Sequence, residues 1–133
     1  MKPAFVDSFY FFAILNPSDA AHAKAIEYSR RHSGPLLTTS WVLTEVADGL
    51  ARSTHRDAPR KIVSAFRAVA DNVIVATTDE LFEQGLDLYH ERLDKQWSLT
   101  DCISFVFMKQ RGIQDALTGD HHFEQAGFKA LLK

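Results

Sequence analysis

Short apolar runs that alternate with helix-period segments predict an α/β fold, a short parallel sheet of four to five strands covered by helices on both faces. Three observations carry this expectation. The β-branched run Val73-Ile74-Val75-Ala76 reads as a strand. Between the apolar runs, residues such as Ile62, Val63, Phe66, Val69 and Ala70 recur at helical spacing. Capping signatures stand at Thr77-x-x-Glu80 and Ser98-x-x-Asp101, where helices would begin.

Taken in order, Pro3 to Val6 is an apolar run ending in Asp7 and reads as a buried strand. Ser8 is expected to cap a helix through Leu15, which Asn16-Pro17 stops. Ser18-Asp19 would open a second helix, ending near Ser33-Gly34-Pro35. Leu36 to Thr39 is a second strand, and Ser40 would cap a helix from Trp41 to about Arg52. After the polar stretch Ser53 to Asp57, Pro59 starts a helix that Asn72 ends. The Val73 to Ala76 strand leads into a helix reaching about Leu93. Residues 94 to 99 read as a loop, and the next helix runs to Arg111 with Gly112 as its stop. Asp115 to Thr118 reads as a fourth strand and Phe128 to Leu131 as a fifth. No repeat, linker or low-complexity segment divides the chain, so residues 1–133 read as a single domain.

The bulk properties exclude several classes. Hydrophobic residues make up 46% and charged residues 24%, the balance of a water-soluble globular protein. The longest apolar-rich stretch, Phe9 to Leu15, is too short for a membrane helix, and Asp7 interrupts any signal-peptide pattern. The single cysteine, Cys102, cannot form an internal disulfide and suits a reducing compartment. A cytoplasmic protein with no membrane partner is expected. The net charge of −2 argues against nucleic-acid binding by bulk electrostatics alone.

Four acids stand where apolar segments end or helices begin: Asp7, Glu45, Asp101 and Asp120. Open α/β sheets bind ligands beyond the carboxyl ends of their strands, where Asp7 and Asp120 fall. Asp101 lies in the first turn of a helix, where the dipole favours an anion. Glu45 lies within a helix among Trp41, Val42 and Val46 and points inward if that face is buried. Carboxylates gathered in a partly buried place repel one another and call for a cation, and hard divalent cations take oxygen ligands. Setting aside these four charges, the rest of the chain carries about +2, so a neutralised site leaves a mildly basic surface. Singly, each acid also has an ordinary structural reading: a cap, a capping-box partner, a turn residue or a surface glutamate.

The phrases around these acids resemble a known family. Ala4-Phe5-Val6-Asp7-Ser8 and Trp41-Val42-Leu43-Thr44-Glu45-Val46 look like the first two acidic motifs of PIN domains. The run Asp94 to Phe105, containing Trp97-Ser98-Leu99-Thr100-Asp101, resembles the third, and Ala116-Leu117-Thr118-Gly119-Asp120-His121-His122-Phe123 the closing motif. Within the family the chain looks like the toxin component of a VapBC toxin–antitoxin pair. That resemblance implies a PIN-like three-layer fold and a Mg²⁺- or Mn²⁺-dependent endoribonuclease. It also implies a cognate antitoxin and a homodimer. Asp7, Glu45, Asp101 and Asp120 match the family's acidic positions, with Asp7 and Asp101 matching the strongest metal ligands and Gly119 setting Asp120 in a slightly different context.

The chemistry such a site needs is modest in protein ligands, because Mg²⁺ keeps several waters. Asp7 and Asp101 are the candidate holders of the main ion, Glu45 would orient the attacking water or hold a second ion, and Asp120 would complete the shell. Ser8, Thr100, Ser104 and Thr118 are hydroxyls placed to support a carboxylate or a metal-bound water, with helix capping the rival role for Ser8. Arg52, Arg56, Arg60 and Lys61 lead a basic stretch between residues 52 and 67 and are candidate phosphate contacts. Arg30, Arg31 and His32 form a second cluster. His121 and His122 read as a solvated loop, Cys102 as a core residue and Trp97 as a packing residue. The apolar run Phe9 to Phe12 exceeds one core-facing stripe; core packing is expected to take at least half of it, which leaves part for an antitoxin or a second subunit. A receiver domain or an aspartate-nucleophile phosphatase is disfavoured, because the Val73 strand ends in Thr77-Thr78 and position 9 is Phe9. The alternative is a non-catalytic PIN-like module that binds metal, RNA or antitoxin.

Overall fold

The computed structural model describes residues 2–133. The elements are β1 (Ala4–Val6), α1 (Ser8–Leu15), α2 (His22–Arg31), β2 (Leu36–Thr39), α3 (Ser40–Gly49) and α4 (Ala58–Arg67). They continue with β3 (Val73–Val75), α5 (Asp79–Glu91), α6 (Leu99–Arg111), β4 (Asp115–Leu117), α7 (His121–Gln125) and β5 (Lys129–Ala130). The five strands form one sheet in the order β3-β2-β1-β4-β5, and every pairing is parallel. The sheet and its helices form the α/β fold that the alternating pattern predicts.

In β1, Ala4, Phe5 and Val6 are all buried. Successive strand residues face opposite sides, so three in a row buried means that both sheet faces are covered. The chain leaves β1, builds outward through β2 and β3, then returns to the other side of β1 for β4 and β5. That reversal opens a crevice at the carboxyl ends of β1 and β4. Phe5 anchors the core, tilted against Phe107 at 5.8 Å and Phe123 at 6.4 Å between ring centres.

Helix starts differ from expectation by one residue in several places, each time for a reason of backbone geometry. The cap position of α1 is Asp7, and Ser8 is the first helical residue. Thr39, not Ser40, caps α3, accepting from the Val42 N–H at 3.2 Å. Thr78, not Thr77, caps α5, accepting from the Leu81 N–H at 3.2 Å. A capping residue has extended backbone, and in both hydroxyl pairs the fold, not the residue types, decides which member is the last extended one. The Ser98 capping box forms as expected, and α6 ends at Gly112 in the left-handed conformation (φ 66°).

Other expectations are corrected. Ser18-Asp19 does not open α2; Asp19 Oδ1 accepts the Ala21 N–H at 2.8 Å in a turn, and the helix begins at His22. The third helix stops at Gly49, short of Arg52. Asn72 lies beyond the end of α4, and its side chain ties Phe66 O to the Leu36 N–H. The Val73 strand, the plainest in the sequence, lies at the sheet edge, where Val73 is 39% exposed. His121 and His122, read as a solvated loop, are the first two residues of α7. In the Phe9 to Phe12 run, Phe11 is buried, while Phe9, Tyr10 and Phe12 are half-buried against the core, Phe9 beside Gly119 and Phe12 beside Gly49.

Candidate functional site

The end of β1 delivers Asp7 into the crevice at the middle of the sheet, where it is 4% exposed. Its side chain makes no capping bond to α1. Instead Asp7 Oδ2 accepts a hydrogen bond of 2.8 Å from Thr118 Oγ1, at the end of the neighbouring β4. Thr118 Oγ1 also accepts from the Asp120 N–H at 3.0 Å, so one hydroxyl links the first acid to the loop bearing the last. On the other side of β1, Thr38 Oγ1 donates to Val6 O at 2.8 Å, and Thr39 caps α3. These bonds fix where α3 starts and bring Glu45, half-buried in its second turn, toward the same crevice.

Asp101 reaches the crevice from α6. The sequence left open whether it closes a capping box or belongs to a site, and it does both. Its N–H donates to Ser98 Oγ at 3.0 Å, and the Ser98 N–H donates to Asp101 Oδ2 at 3.3 Å. The side chain is nevertheless only 12% exposed and close enough to Asp120 and Glu45 to feel their charge. Asp120 caps α7, accepting the His122 N–H at 2.9 Å, and its side chain is 30% exposed.

The electrostatics of the group are those of crowded acids. Burial pushes the Asp7 carboxyl up to about 7, and Asp101 and Glu45 add to the rise against the opposing Thr118 hydrogen bond. Burial also raises Asp101, followed by Asp120 and Glu45. Among the described residues, no lysine or arginine lies within 4.0 Å of either carboxylate; His122 Nδ1, at 3.5 Å from Asp101 Oδ2, is the nearest basic group. Two buried carboxylates without a cationic partner are costly as anions. An all-oxygen donor set of this kind fits a hard divalent cation, which would offset that cost.

The supporting residues are distributed unevenly. Thr118 is buried against Asp7. Ser104, one helical turn beyond Asp101, is buried with its Oγ lacking a hydrogen-bond partner. Thr100 and Ser8 are half-buried. The four basic candidates are all exposed. Arg56 donates to Ala51 O at 2.6 Å and Lys61 pairs with Asp57 at 2.8 Å. Among the described residues, Arg52 and Arg60 have no carboxylate within 4.0 Å.

The solvated-loop reading of the histidines is overturned. His121 is 63% exposed, but His122 is 21% exposed, with Nδ1 3.3 Å from Asp120 Oδ1. The apolar Phe123 that follows is fully buried. Trp97 packs inside, donating to Gln125 Oε1 at 3.0 Å and meeting Phe105 edge-on at 5.0 Å. Cys102 is buried, and burial followed by Asp101 pushes its thiol up to about 11, far from a nucleophile's range.

Comparison with known proteins supplies a frame for this geometry. Residues 4–129 match the family described as PIN domain. Two curated relatives, from the Mycobacterium tuberculosis strains CDC 1551 / Oshkosh and ATCC 25618 / H37Rv, are both described as 23S rRNA-specific endonuclease VapC20. Each is 30% identical over 125 residues, covering 93% of this chain and 94% of the relative. The crystal structure of Mycobacterium tuberculosis VapC20, described as a sarcin-ricin loop cleaving toxin, is similar with a TM-score of 0.84. It shares 28% identity over 95% of this chain and 96% of that one.

Proposed function

This chain belongs to the PIN domain family, and from that premise we propose that it is a divalent-metal-dependent endoribonuclease, the toxin of a toxin–antitoxin pair. One observation carries the proposal. Two buried carboxylates far apart in the sequence, Asp7 and Asp101, meet at the carboxyl edge of the sheet, and among the described residues no lysine or arginine lies within 4.0 Å of either.

In this reading Asp7 and Asp101 hold Mg²⁺ or Mn²⁺, with Glu45 and Asp120 at the margin of the same group. A divalent ion held there would supply a water of lowered pKa and draw charge from the scissile phosphate. Thr118 holds the Asp7 carboxylate in one orientation by its 2.8 Å bond, and Ser98 does the same for Asp101 through the capping box. Glu45, half-buried where Asp7 and Asp101 are buried, would orient the attacking water or accept its proton. Arg52 and Arg60, exposed and with no carboxylate within 4.0 Å among the described residues, would contact RNA phosphates.

The relatives named for 23S rRNA make ribosomal RNA the first substrate to test. We further propose that the chain works as one domain in the cytoplasm, pairs with a second copy of itself and is held inactive by a cognate antitoxin. No described helix is long and apolar enough to cross a membrane.

The test is cleavage of purified ribosomal and total RNA with Mg²⁺, with Mn²⁺ and with EDTA. Wild type is expected to cut only with a divalent ion. Asp7→Asn and Asp101→Asn are each expected to lose roughly a hundredfold or more in rate. Wild-type protein that binds RNA or antitoxin but never cuts would identify the non-catalytic module instead.

A further inference from the structure

We propose that Asp120, His121 and His122 form a second cation position at the edge of the acid pocket, one that takes a first-row transition ion such as Co²⁺ or Zn²⁺ in preference to Mg²⁺. The proposal rests on the endoribonuclease reading only in sharing Asp120, and its donors stand on geometry of their own. One ligand atom from each of the three side chains lies within 4.8 Å of the other two. The Asp120 Oδ1 to His Nδ1 separations are 3.6 Å for His121 and 3.3 Å for His122. Neighbouring ligands around an ion with bonds of about 2.0–2.1 Å stand roughly 3–3.5 Å apart. Small side-chain rotations are enough to bring the set onto one ion.

A second observation points the same way. His122 Nδ1 is shut away from solvent and makes no hydrogen bond. A buried polar atom without a partner is uncommon and asks for an explanation. This nitrogen faces two carboxylate oxygens, Asp120 Oδ1 and Asp101 Oδ2, the latter at 3.5 Å. A cation seated among them would give the nitrogen a partner and relieve the carboxylates together. Exposed His121 closes the set from the solvent side and leaves the ion an entry path.

The donor set decides which ion. Mg²⁺ prefers oxygen ligands and retains its waters, whereas imidazole nitrogens favour Co²⁺, Ni²⁺ and Zn²⁺. The acid pair Asp7 and Asp101 and the mixed trio at residues 120–122 would therefore answer to different metals. Magnesium would fill the first at millimolar concentration and leave the second open.

The test is a titration of untagged, chelator-treated full-length protein with Co²⁺, read by the visible absorption that imidazole ligation produces. Wild type is expected to bind Co²⁺ at this position with an affinity that millimolar Mg²⁺ does not abolish. His121→Ala, a surface change, and His122→Asn are each expected to weaken binding by roughly tenfold or more. Asp7→Asn is expected to leave it within about twofold. Thermal melting in EDTA verifies that each variant is folded. Absence of a Co²⁺ band in wild type, unchanged affinity in both histidine variants, or loss of the band in Asp7→Asn would each overturn the proposal. RNA cleavage by wild type in Mg²⁺ is scored separately, so failure here leaves the nuclease reading standing, and the reverse also holds.

Discussion

Burial holds the Asp7 carboxyl at about 7, far above its value of 3.8 in an unfolded chain, and that difference is a statement about stability. Between those two values the folded state keeps a proton that the unfolded state has released. The Asp7 contribution is therefore most favourable below about pH 4 and is lost as pH rises toward about 7. In EDTA, the melting temperature of wild type relative to Asp7→Asn is expected to fall across that interval and to level off above it. The asparagine keeps an oxygen for the Thr118 hydroxyl and carries no charge. Adding Mg²⁺ at pH 8 should recover the loss in wild type and not in the variant, since a ligand of the native state stabilises it by mass action. A wild-type and variant pair whose melting temperatures track in parallel from pH 4 to 7 would show that Asp7 is not held protonated. At this scale the sequence marked the acids through their neighbours, and it marked Thr118 as a possible support. It could not mark the Asp7–Thr118 bond itself, because 111 residues separate the partners.

Helices α5 and α6 pack so closely that a side chain at Gly85 has no room. A Cβ there would come within 3.1 Å of the Ile103 Cα and 3.2 Å of its backbone nitrogen. An exposed helical glycine replaced by alanine ordinarily gains up to about 1 kcal/mol. Here the sign is expected to reverse, with Gly85→Ala costing about 1–3 kcal/mol in urea unfolding. The change would also shift α6, which carries Asp101, so RNA cleavage should drop with stability. An unchanged or raised urea midpoint would mean the two helices are not in this contact. Element by element, the sequence was a sound guide to type and a weaker one to edges. Every expected strand formed, and α6 ran between its predicted box and its predicted glycine. The starts of α3 and α5 slipped by one because adjacent hydroxyls are chemically equivalent caps. The short α7 was missed because five residues hold too little periodicity to read.

At the scale of the whole molecule, the proposed reading asks a chain of net charge −2 to bind a polyanion, and four acids neutralised by a cation would reconcile the two. With a divalent ion offsetting them the remaining surface would be mildly basic, and among the described residues Arg52 and Arg60 have no carboxylate within 4.0 Å. Arg52→Glu and Arg60→Glu are expected to weaken RNA binding about equally for all sequences. Each charge removed should reduce the slope of log affinity against log salt by about 0.7–1. Salt dependence identical to wild type would remove both residues from the interface. Composition, alternation and motif phrases by themselves determined the α/β class, the parallel sheet and the identity of the crowded acids, because each is encoded within a few neighbouring residues. Only the tertiary structure decided that the Asp7 carboxylate is bonded to Thr118 instead of capping its own helix, that Asp101 serves a cap and a pocket at once, and that His122 turns inward beside them. Those outcomes depend on the strand order β3-β2-β1-β4-β5, which sets β1 beside β4 and so brings the two ends of the chain to one crevice.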